Sequence, residues 1–236
     1  MRLLTWNIRH GGGQRVPAIV AWLARRAADV VVLTEVRATP PSLQLRAALA
    51  AQGLVYQCAS SSEARVNGVL IASRVPLRRE SLPTALAGDA PRFAIVRCAG
   101  LRIVGAYLPA TLATIKPCFT RMLGETSRWL SGETLLIGDF NAGHAELDCE
   151  VPMSMHNGRH FDQLHIQGWI DGWRAQRGAR REYSWTSQRG NGFRIDHAFL
   201  SPRLAPRLRA AHYNHTVRRA GLSDHSALVL ELSDHP

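Results

Sequence analysis

The stretch RFAIVRCAGLRIVGAYL, residues 92–108, and the residues that follow it contain the two kinds of connection that decide the fold. Its halves, 92–98 and 101–108, predict two strands joined by a tight turn, and therefore an antiparallel pair. Residues 116–131 then predict a helix, and ETLLIG at 133–138 predicts a buried strand. A helix that separates two strands indicates a layer outside the sheet.

The rest of the chain repeats this alternation. Further strands are predicted at 2–8, 29–36, 54–58, 66–73, 183–187, 194–200, 208–217 and 226–232, and further helices at 15–28, 41–52 and 159–168. Two packed, mixed and largely antiparallel sheets flanked by helices fit this α/β pattern. No Pro-, Gly- or Ser-rich linker divides the sequence, so we expect one domain spanning residues 1–236.

Composition excludes several classes of protein. Of the 236 residues, 46% are hydrophobic and 20% are charged, which is typical of a globular domain with a substantial core. No uncharged apolar run approaches the roughly 20 residues of a membrane helix, and MRLLTWNIRH is unlike a secretory signal. The four cysteines include no close pair, which predicts free thiols in a reducing compartment and hence a cytoplasmic protein.

The net charge is +11, and most of it comes from one part of the chain. The span from Arg174 to Arg219 contains eleven arginines and two acidic residues, so it supplies nine of the eleven net positive charges. A solvated basic surface and a site for an acidic macromolecule or a phosphate ligand are both consistent with such a run. No feature of the sequence calls for an obligate protein partner or a membrane.

Polar side chains stand at the ends of several predicted strands, where a rigid sheet can hold them at its rim. They comprise Asn7, Glu35, Tyr107, Asp139, Asn141, Asp196, Asp224 and His225. Taken singly, each also fits a structural role as a turn former, a paired buried acid or a cap. Taken together, they supply carboxylates, carboxamides, a phenol and a histidine.

This set of groups suits hydrolysis of a phosphate ester with the help of a metal ion. Carboxylate and carbonyl oxygens bind a hard divalent ion such as Mg²⁺, and the ion neutralises a phosphate oxygen as charge develops. A carboxylate accepts a proton from water, while Asn, Tyr and cationic His hydrogen-bond phosphate oxygens. The chain has no GxxxxGK[ST] loop, GxSxG elbow or HExxH motif, which excludes the sites that those motifs form.

At these residues the sequence resembles the endonuclease/exonuclease/phosphatase superfamily of metal-dependent phosphodiesterases. The matching segments follow the family's order and span nearly the whole chain: LLTWNIR, VVVLTEV, GVLIASR, VGAYLP, LLIGDFNAGHAELD, YSWTSQRGNGFRIDHAFLSP and LSDHSALVLEL. The resemblance implies a four-layer α/β sandwich with its site at one rim of two packed sheets. The GDFNAGHAELD and RIDHAFLS segments are most similar to the branch of exonuclease III and the apurinic/apyrimidinic endonucleases.

The resemblance implies a metal site. Glu35 would be the main ligand, with Asn7 beside it and Asp224 nearby. The ion would be Mg²⁺, with Mn²⁺ as a substitute. The tripeptide Ser-Asp-His occurs twice, and only the copy at 223–225 precedes a predicted strand, so we assign the function to Asp224 and His225 rather than to Asp234 and His235.

The resemblance also implies catalytic roles. Asp139 would position or deprotonate the attacking water, and Asn141 would hold the phosphate. His225 would donate to a non-bridging phosphate oxygen and would be oriented by Asp196. Tyr107 would contact the phosphate or stabilise the leaving group.

Further residues are expected to support the site or the substrate. Asp171 matches an additional family acid, and Asp148 is the acid that trails the GDFN segment. Arg189 and Arg194 flank a turn near the predicted site, and we expect both to face a DNA backbone. For Arg194 the alternative is direct support of the site, because it lies two residues from Asp196 on the same strand face.

Three functions remain open at this point. The first is a Mg²⁺-dependent nuclease acting on DNA, as an apurinic/apyrimidinic endonuclease or a 3′-exonuclease. The second is a phosphatase or phosphodiesterase of the same superfamily for lipid or small-molecule phosphates, and the third is a nucleic-acid-binding protein with an inactive site. Arg9 and Ala110 depart from the pattern of the apurinic/apyrimidinic branch, which leaves specificity for abasic sites open.

Overall fold

Strands account for the centre of the molecule in the computed structural model, which describes residues 1–151 and 158–234. In chain order they are β1 (Arg2–Asn7), β2 (Val30–Val36), β3 (Tyr56–Ala59), β4 (Gly68–Ser73), β5 (Leu77–Arg79), β6 (Phe93–Cys98), β7 (Leu101–Tyr107), β8 (Thr134–Asp139), β9 (Ile170–Asp171), β10 (Trp185–Thr186), β11 (Gly192–Phe193), β12 (Asp196–Leu200), β13 (Leu208–Asn214) and β14 (Ala227–Leu232).

These strands form two six-stranded sheets and one short hairpin. The first sheet has the order β13-β14-β1-β2-β4-β3, and the second has the order β5-β6-β7-β8-β12-β9. Only the pairs β1–β2 and β7–β8 are parallel among the described strands, which confirms mixed and largely antiparallel sheets. The hairpin is β10–β11.

Helices flank the two sheets. They are α1 (Val16–Ala24), α2 (Pro40–Ala51), α3 (Leu112–Trp129), α4 (Gly158–Ile166), α5 (Gly172–Arg177) and α6 (Thr216–Arg219). Apolar residues of α1 and α2 pack on the first sheet, and those of α3 and α4 pack on the second. A third apolar cluster lies between the two sheets, so the molecule has the four layers that the resemblance implies.

The alternation of side chains along the strands decides which residues reach the rim. In β8, Leu135 and Ile137 belong to the core between the sheets, and Asp139 is the next residue with the same direction. Tyr107 in β7 belongs to the same core. Asp139 lies opposite Tyr107 on one side and opposite Asp196 on the other, so the three side chains share one end of the second sheet.

Some strands are shorter than predicted, and of residues 183–187 only Trp185–Thr186 form a strand, β10. The sequence suggested a strand over 208–217, but β13 ends at Asn214. The Asn214 side chain there accepts a hydrogen bond from the backbone N–H of Thr216 at 3.1 Å, which turns the chain into α6.

All four cysteines are free and buried. Among the described helices, none combines the length and the apolar character that a membrane span requires.

Candidate active site

A chain of hydrogen bonds joins the ends of the two sheets. The Asn7 amide nitrogen Nδ2 donates to Glu35 Oε1 at 3.1 Å in the first sheet and to Asp139 Oδ2 at 2.9 Å in the second. The hydroxyl of Tyr107 donates to the same Glu35 oxygen at 3.3 Å. Four of the predicted site residues therefore meet at the predicted rim.

Glu35 owes its position to a β-bulge. The pairing of β2 with β4 shifts by one residue between Thr34 and Val36, and Glu35 is the extra residue, with a positive φ of 58°. Its second carboxylate oxygen accepts a hydrogen bond from the backbone N–H of His10 at 2.8 Å. Backbone strain of this kind in a non-glycine residue is concentrated at functional sites.

A second group of side chains lies beside this chain of hydrogen bonds. Polar atoms of Asp139, Asp196 and His225 fall within 4.8 Å of one another, and all three residues are buried. His225 Nδ1 donates to Asp196 Oδ2 at 2.8 Å, which is the predicted Asp–His pair. The structure thus places the aspartate where it can orient the imidazole.

The electrostatics of this group favour a cationic histidine. Burial alone would lower the pKa of His225, but the carboxylates of Asp196 and Asp139 raise it to about 10. Burial, together with the charge of Asp196, raises the pKa of Asp139 to about 7. A cationic His225 is a hydrogen-bond donor, and a carboxylate whose pKa is raised in this way is a better proton acceptor than an ordinary aspartate.

The donor set fits a hard divalent ion. Asp139, Asp196 and His225 are compact enough to surround a metal, but a protonated His225 cannot act as a ligand. Glu35 supplies carboxylate oxygen atoms at an adjacent, partly open position, and the Asn7 side chain beside it has one oxygen atom, Oδ1, which accepts a hydrogen bond from the Arg9 backbone N–H at 2.8 Å. The Oδ1 atom of Asp196 is buried without a hydrogen-bond partner, so this region holds more negative charge than its described neighbours satisfy.

Three residues without a predicted role, Trp185, Ser223 and Ser184, support the site. The indole N–H of Trp185 donates to Asp224 Oδ2 at 3.1 Å, and the hydroxyl of Ser223 donates to the Asn7 carbonyl oxygen at 2.6 Å. Ser184 accepts hydrogen bonds from the backbone N–H groups of Ile195 and Asp196. The sequence pointed to these three residues only in that they lie within the family-like segments YSWTS and LSDHS.

Asn141 also reaches the rim, with a positive φ of 46°. Its side-chain amide donates one hydrogen bond, to the Leu108 carbonyl oxygen at 2.8 Å. A carboxamide has two donor hydrogens, so the second stays available for a phosphate oxygen. His235, the alternative to His225, lies outside the described residues.

The expectation that Arg194 faces a DNA backbone is wrong. The side chain is 1% exposed, with Nε 2.6 Å from Asp148 Oδ1 and Nη2 2.7 Å from Asp171 Oδ2. Burial alone would raise the pKa of both carboxyl groups, but the Arg194 guanidinium holds them below their usual range. Arg194, Asp148 and Asp171 therefore form a buried ionic cluster beneath the site.

The other arginines of the 174–219 span do not share one surface. Arg207 is buried and pairs with Glu133, and Arg203 follows the end of β12 that is remote from Asp196. Arg189, in contrast, is exposed in the turn of the β10–β11 hairpin. That hairpin is joined to the site by an isolated antiparallel β-bridge between Trp185 and His225. Only part of the span's charge can therefore serve a ligand at the rim.

Comparisons with known proteins agree with this geometry. The sequence pattern of the Endonuclease/Exonuclease/phosphatase family matches residues 4–235. No curated protein sequence matches the chain. Similar solved structures include an AP endonuclease from Archaeoglobus fulgidus, at a TM-score of 0.85, 21% identity and 99% coverage of both chains.

Two further similar structures come from Neisseria. One is the 3′ phosphatase NExo in a substituted form bound to a product DNA hairpin, at a TM-score of 0.84, 24% identity and 99% coverage of both chains. The other is the 3′-5′ exonuclease NExo of Neisseria meningitidis, at 0.84 and 25% identity, with 99% of this chain and 100% of that one covered. From its matched length, its fold and its rim of polar groups, the chain belongs to the endonuclease/exonuclease/phosphatase family of phosphoester-hydrolysing enzymes.

Proposed function

We propose that this protein is a divalent-metal-dependent nuclease that hydrolyses phosphodiester bonds of DNA, with Mg²⁺ as the metal. One observation carries the proposal. The Asp139–Asp196–His225 cluster and the Glu35–Asn7 pair meet at one rim, joined by the 2.9 Å hydrogen bond from Asn7 to Asp139. A proton acceptor, a cationic donor and oxygen ligands for a metal are the groups that in-line attack of water on a phosphate requires.

The chain's own residues have the following roles. Asp139, whose pKa is raised by burial and by the charge of Asp196, takes a proton from the attacking water. His225 uses Nδ1 for Asp196, which leaves Nε2 for a non-bridging phosphate oxygen. Burial and the charge of Glu35 raise the pKa of the Tyr107 hydroxyl, so it stays protonated, and its single hydrogen bond would turn from Glu35 to an oxygen of the phosphate or of the leaving group when substrate is bound.

Glu35, Asn7 and Asp224 would hold the metal ion. When bound, the ion supplies positive charge that stabilises the phosphate as negative charge develops on its oxygens. The carboxylate of Glu35 offsets the charge of the ion, and the bulge fixes that carboxylate before the metal arrives.

Two observations favour DNA over a lipid or a small phosphate. The described rim carries exposed basic side chains, Arg9 and Arg189 among them, which suit a polyanion. The similar structures include proteins described as an AP endonuclease and as a 3′-5′ exonuclease, and one of them holds a DNA hairpin.

The test is a cleavage assay with labelled duplexes that are intact, nicked, 3′-phosphorylated or carry one abasic analogue. We expect cleavage that needs Mg²⁺ and disappears with a chelator. Asp139→Asn should abolish it, because the amide cannot accept the proton from water, whereas Asp234→Asn serves as the matched control for charge. The pattern of products distinguishes endonuclease, exonuclease and 3′-phosphatase activities.

Phosphoinositide and small phosphodiester substrates belong in the same assay. If the protein hydrolysed these in an Asp139-dependent manner and left every DNA substrate intact, the nuclease proposal would be wrong. The lipid or small-molecule phosphatase would then be the correct member of the family.

A further inference from the structure

Three hydrogen-bonded side chains form a link behind the β10–β11 hairpin. Nε2 of His215 lies 2.9 Å from Glu182 Oε1, and Nδ1 of the same ring lies 2.8 Å from the Ser226 hydroxyl. A carboxylate accepts hydrogen bonds and does not donate them, so Nε2 donates to Glu182, and Nδ1 pairs with the hydroxyl. His215 therefore joins the segment that leads into the hairpin to the residue that precedes β14.

Glu182, His215 and Ser226 are the residue types of a hydrolase triad, but their surroundings exclude that role. Ser226 is fully buried, so its hydroxyl cannot reach the atom of a substrate that a nucleophile must attack. The backbone N–H of Ser226 also donates to the Ser184 carbonyl oxygen at 2.7 Å, which joins the same two segments a second time. The three side chains are thus a connection between two segments, and the question is what that connection holds in place.

The segment that is held in this way carries Trp185. Its indole N–H donates to Asp224 Oδ2 at 3.1 Å, and its ring centroid lies 6.3 Å from that of His225. On the other side of the tryptophan in the chain, the Thr186 hydroxyl accepts a hydrogen bond from the Arg218 guanidinium of α6. The indole is therefore supported both before and after it in the chain, and the histidine link is the support before it.

We propose that His215 is a positioning residue, which holds residues 182–185 against the start of β14 and thereby fixes the Trp185 indole on Asp224. The proposal rests on the proposed nuclease function, in which Asp224 holds the metal ion. A partner that fixes the orientation of a metal ligand raises the affinity for the metal, because the ligand does not have to be ordered when the ion binds. Loss of His215 therefore loosens Trp185 and weakens metal binding.

Fluorescence quenching measures the exposure of Trp185. The chain has six tryptophans, and the other five are at most 6% exposed, whereas Trp185 is half-buried. Acrylamide, a neutral quencher, therefore reaches Trp185 preferentially in the folded protein, and Trp185→Phe identifies the share of the signal that comes from this residue. The measurement needs neither metal nor DNA, so it tests the link separately from activity.

Two substitutions of His215 separate its hydrogen bonds. The side-chain amide of Gln takes the place of Nε2 and keeps the bond to Glu182, whereas Ala keeps neither bond. In His215→Ala, acrylamide quenching of Trp185 should rise toward that of an exposed indole, and the Mg²⁺ concentration for half-maximal DNA cleavage should rise about tenfold. In His215→Gln both values should return most of the way to those of the parent. His212→Ala is the matched control, because His212 is an exposed histidine of β13.

Urea unfolding first establishes that each variant is folded. If a folded His215→Ala variant kept the quenching and the Mg²⁺ requirement of the parent, or if His215→Gln restored neither, the positioning role would be refuted and the nuclease function would stand. If His215→Ala does not fold, Glu182→Ala removes the same hydrogen bond and Glu182→Gln keeps its acceptor, and the same outcomes decide. Quenching that responds as expected in a protein that cleaves no DNA with any divalent metal would support the positioning of Trp185 and refute the nuclease function.

Discussion

The carboxylate of Glu35 is aimed by backbone geometry rather than by an ordinary strand position. A residue with a φ of 58° inside a sheet is retained against a conformational cost of roughly 1–3 kcal/mol. The surrounding contacts that hold it are the N–H of His10 and the side chains of Asn7 and Tyr107. The strained backbone holds a negative charge rigidly at the open end of the site, where a metal ion can bind to it.

Glu35→Gln is therefore expected to damage activity and metal dependence together. The amide keeps the shape of the side chain but cannot offset the charge of a divalent ion, so turnover should fall on the order of 10²-fold. The concentration of Mg²⁺ for half-maximal activity should rise by about tenfold or more. Both are measured by titrating Mg²⁺ in the cleavage assay.

Glu231→Gln is the control for this change, because Glu231 is a half-exposed glutamate at the other end of the first sheet, paired with Arg2. If the Glu35→Gln variant turned over within a few-fold of the parent rate at saturating Mg²⁺, the assignment of Glu35 as the principal metal ligand would be wrong.

At the scale of the strand, Gly138 connects the core to the site. Its φ is 148°, and a Cβ atom at this position would lie 1.9 Å from the carbonyl oxygen of Ala106 in the neighbouring strand. The next residue is Asp139. The close approach of β7 and β8 at this point therefore fixes the distance between Tyr107 and Asp139.

Gly138→Ala should lower the free energy of unfolding by about 1–3 kcal/mol or more, because the backbone clash has no flexible side chain to relieve it. Catalysis should fall as well, since Asp139 moves with the strand. The control is Gly124→Ala in α3, where an added Cβ meets nothing within 4 Å. That change should stabilise the protein by about 0.4–1 kcal/mol. Urea unfolding measures both, and equal stabilities of the two variants would contradict this account.

The alternation of side chains explains which parts of the site were predictable. Two site residues, Tyr107 and Asp139, end runs of alternating apolar strand residues, and Asp196 begins such a run. Their meeting at one rim could therefore be inferred from the sequence. The bulge at Glu35 could not, because it is set by pairing with β4, more than 30 residues away along the chain. The sequence therefore predicted that a carboxylate belongs to the site, but not the backbone geometry that positions it.

Long-range ion pairs explain the error at Arg194. Its partners lie 46 and 23 residues away, at Asp148 and Asp171, and no local pattern indicates that the three meet. An arginine near a turn in a basic span is typical of a surface residue. Burial with two carboxylates reverses that interpretation, and the arginine instead ties the loop before Cys149 to β9 and β12.

Arg194→Met should destabilise the protein by roughly 3–5 kcal/mol, because it leaves the buried carboxylate of Asp171 without its arginine and leaves Asp148 with Arg174 alone. The effect should depend on pH. In the parent, the pKa values of Asp148 and Asp171 are depressed, so their contribution is complete above the unfolded pKa of about 3.9 and is lost as the pH falls further. The variant should lose the part of this acid-dependent change that comes from Asp171, while Asp148 keeps its ion pair with Arg174.

Chemical unfolding at a series of pH values from about 2 to 7 tests this prediction. Arg189→Met, which removes an exposed arginine, is the control and should leave the stability profile close to that of the parent. A profile of Arg194→Met that runs parallel to the parent's at all pH values would contradict the charge-pairing account and favour loss of packing alone.

At the scale of the whole molecule, position in the fold decides how the positive charge acts. The sequence places nine net charges between Arg174 and Arg219, but the structure divides those arginines among the interior, the remote end of the sheets and the site rim. Arg37, Arg65 and Arg92, which lie outside this span, add charge at the rim. The electrostatic surface that a ligand meets is thus assembled from both halves of the chain.

Affinity for duplex DNA should therefore fall linearly in a plot of its logarithm against the logarithm of salt concentration. Each phosphate that the protein neutralises contributes about 0.9 to the slope, because its condensed counterions are released. Arg189→Gln should lower the slope by about this amount and weaken unrelated sequences equally, since a phosphate contact carries no base information. Arg203→Gln should leave the slope unchanged, because this arginine lies at the remote end of the second sheet.

Titrations of labelled duplex, made with Ca²⁺ in place of Mg²⁺ to prevent cleavage, measure the three slopes. Equal slopes for the parent and Arg189→Gln would place the strand elsewhere on the rim, and binding independent of salt would favour a substrate that is not a polyanion.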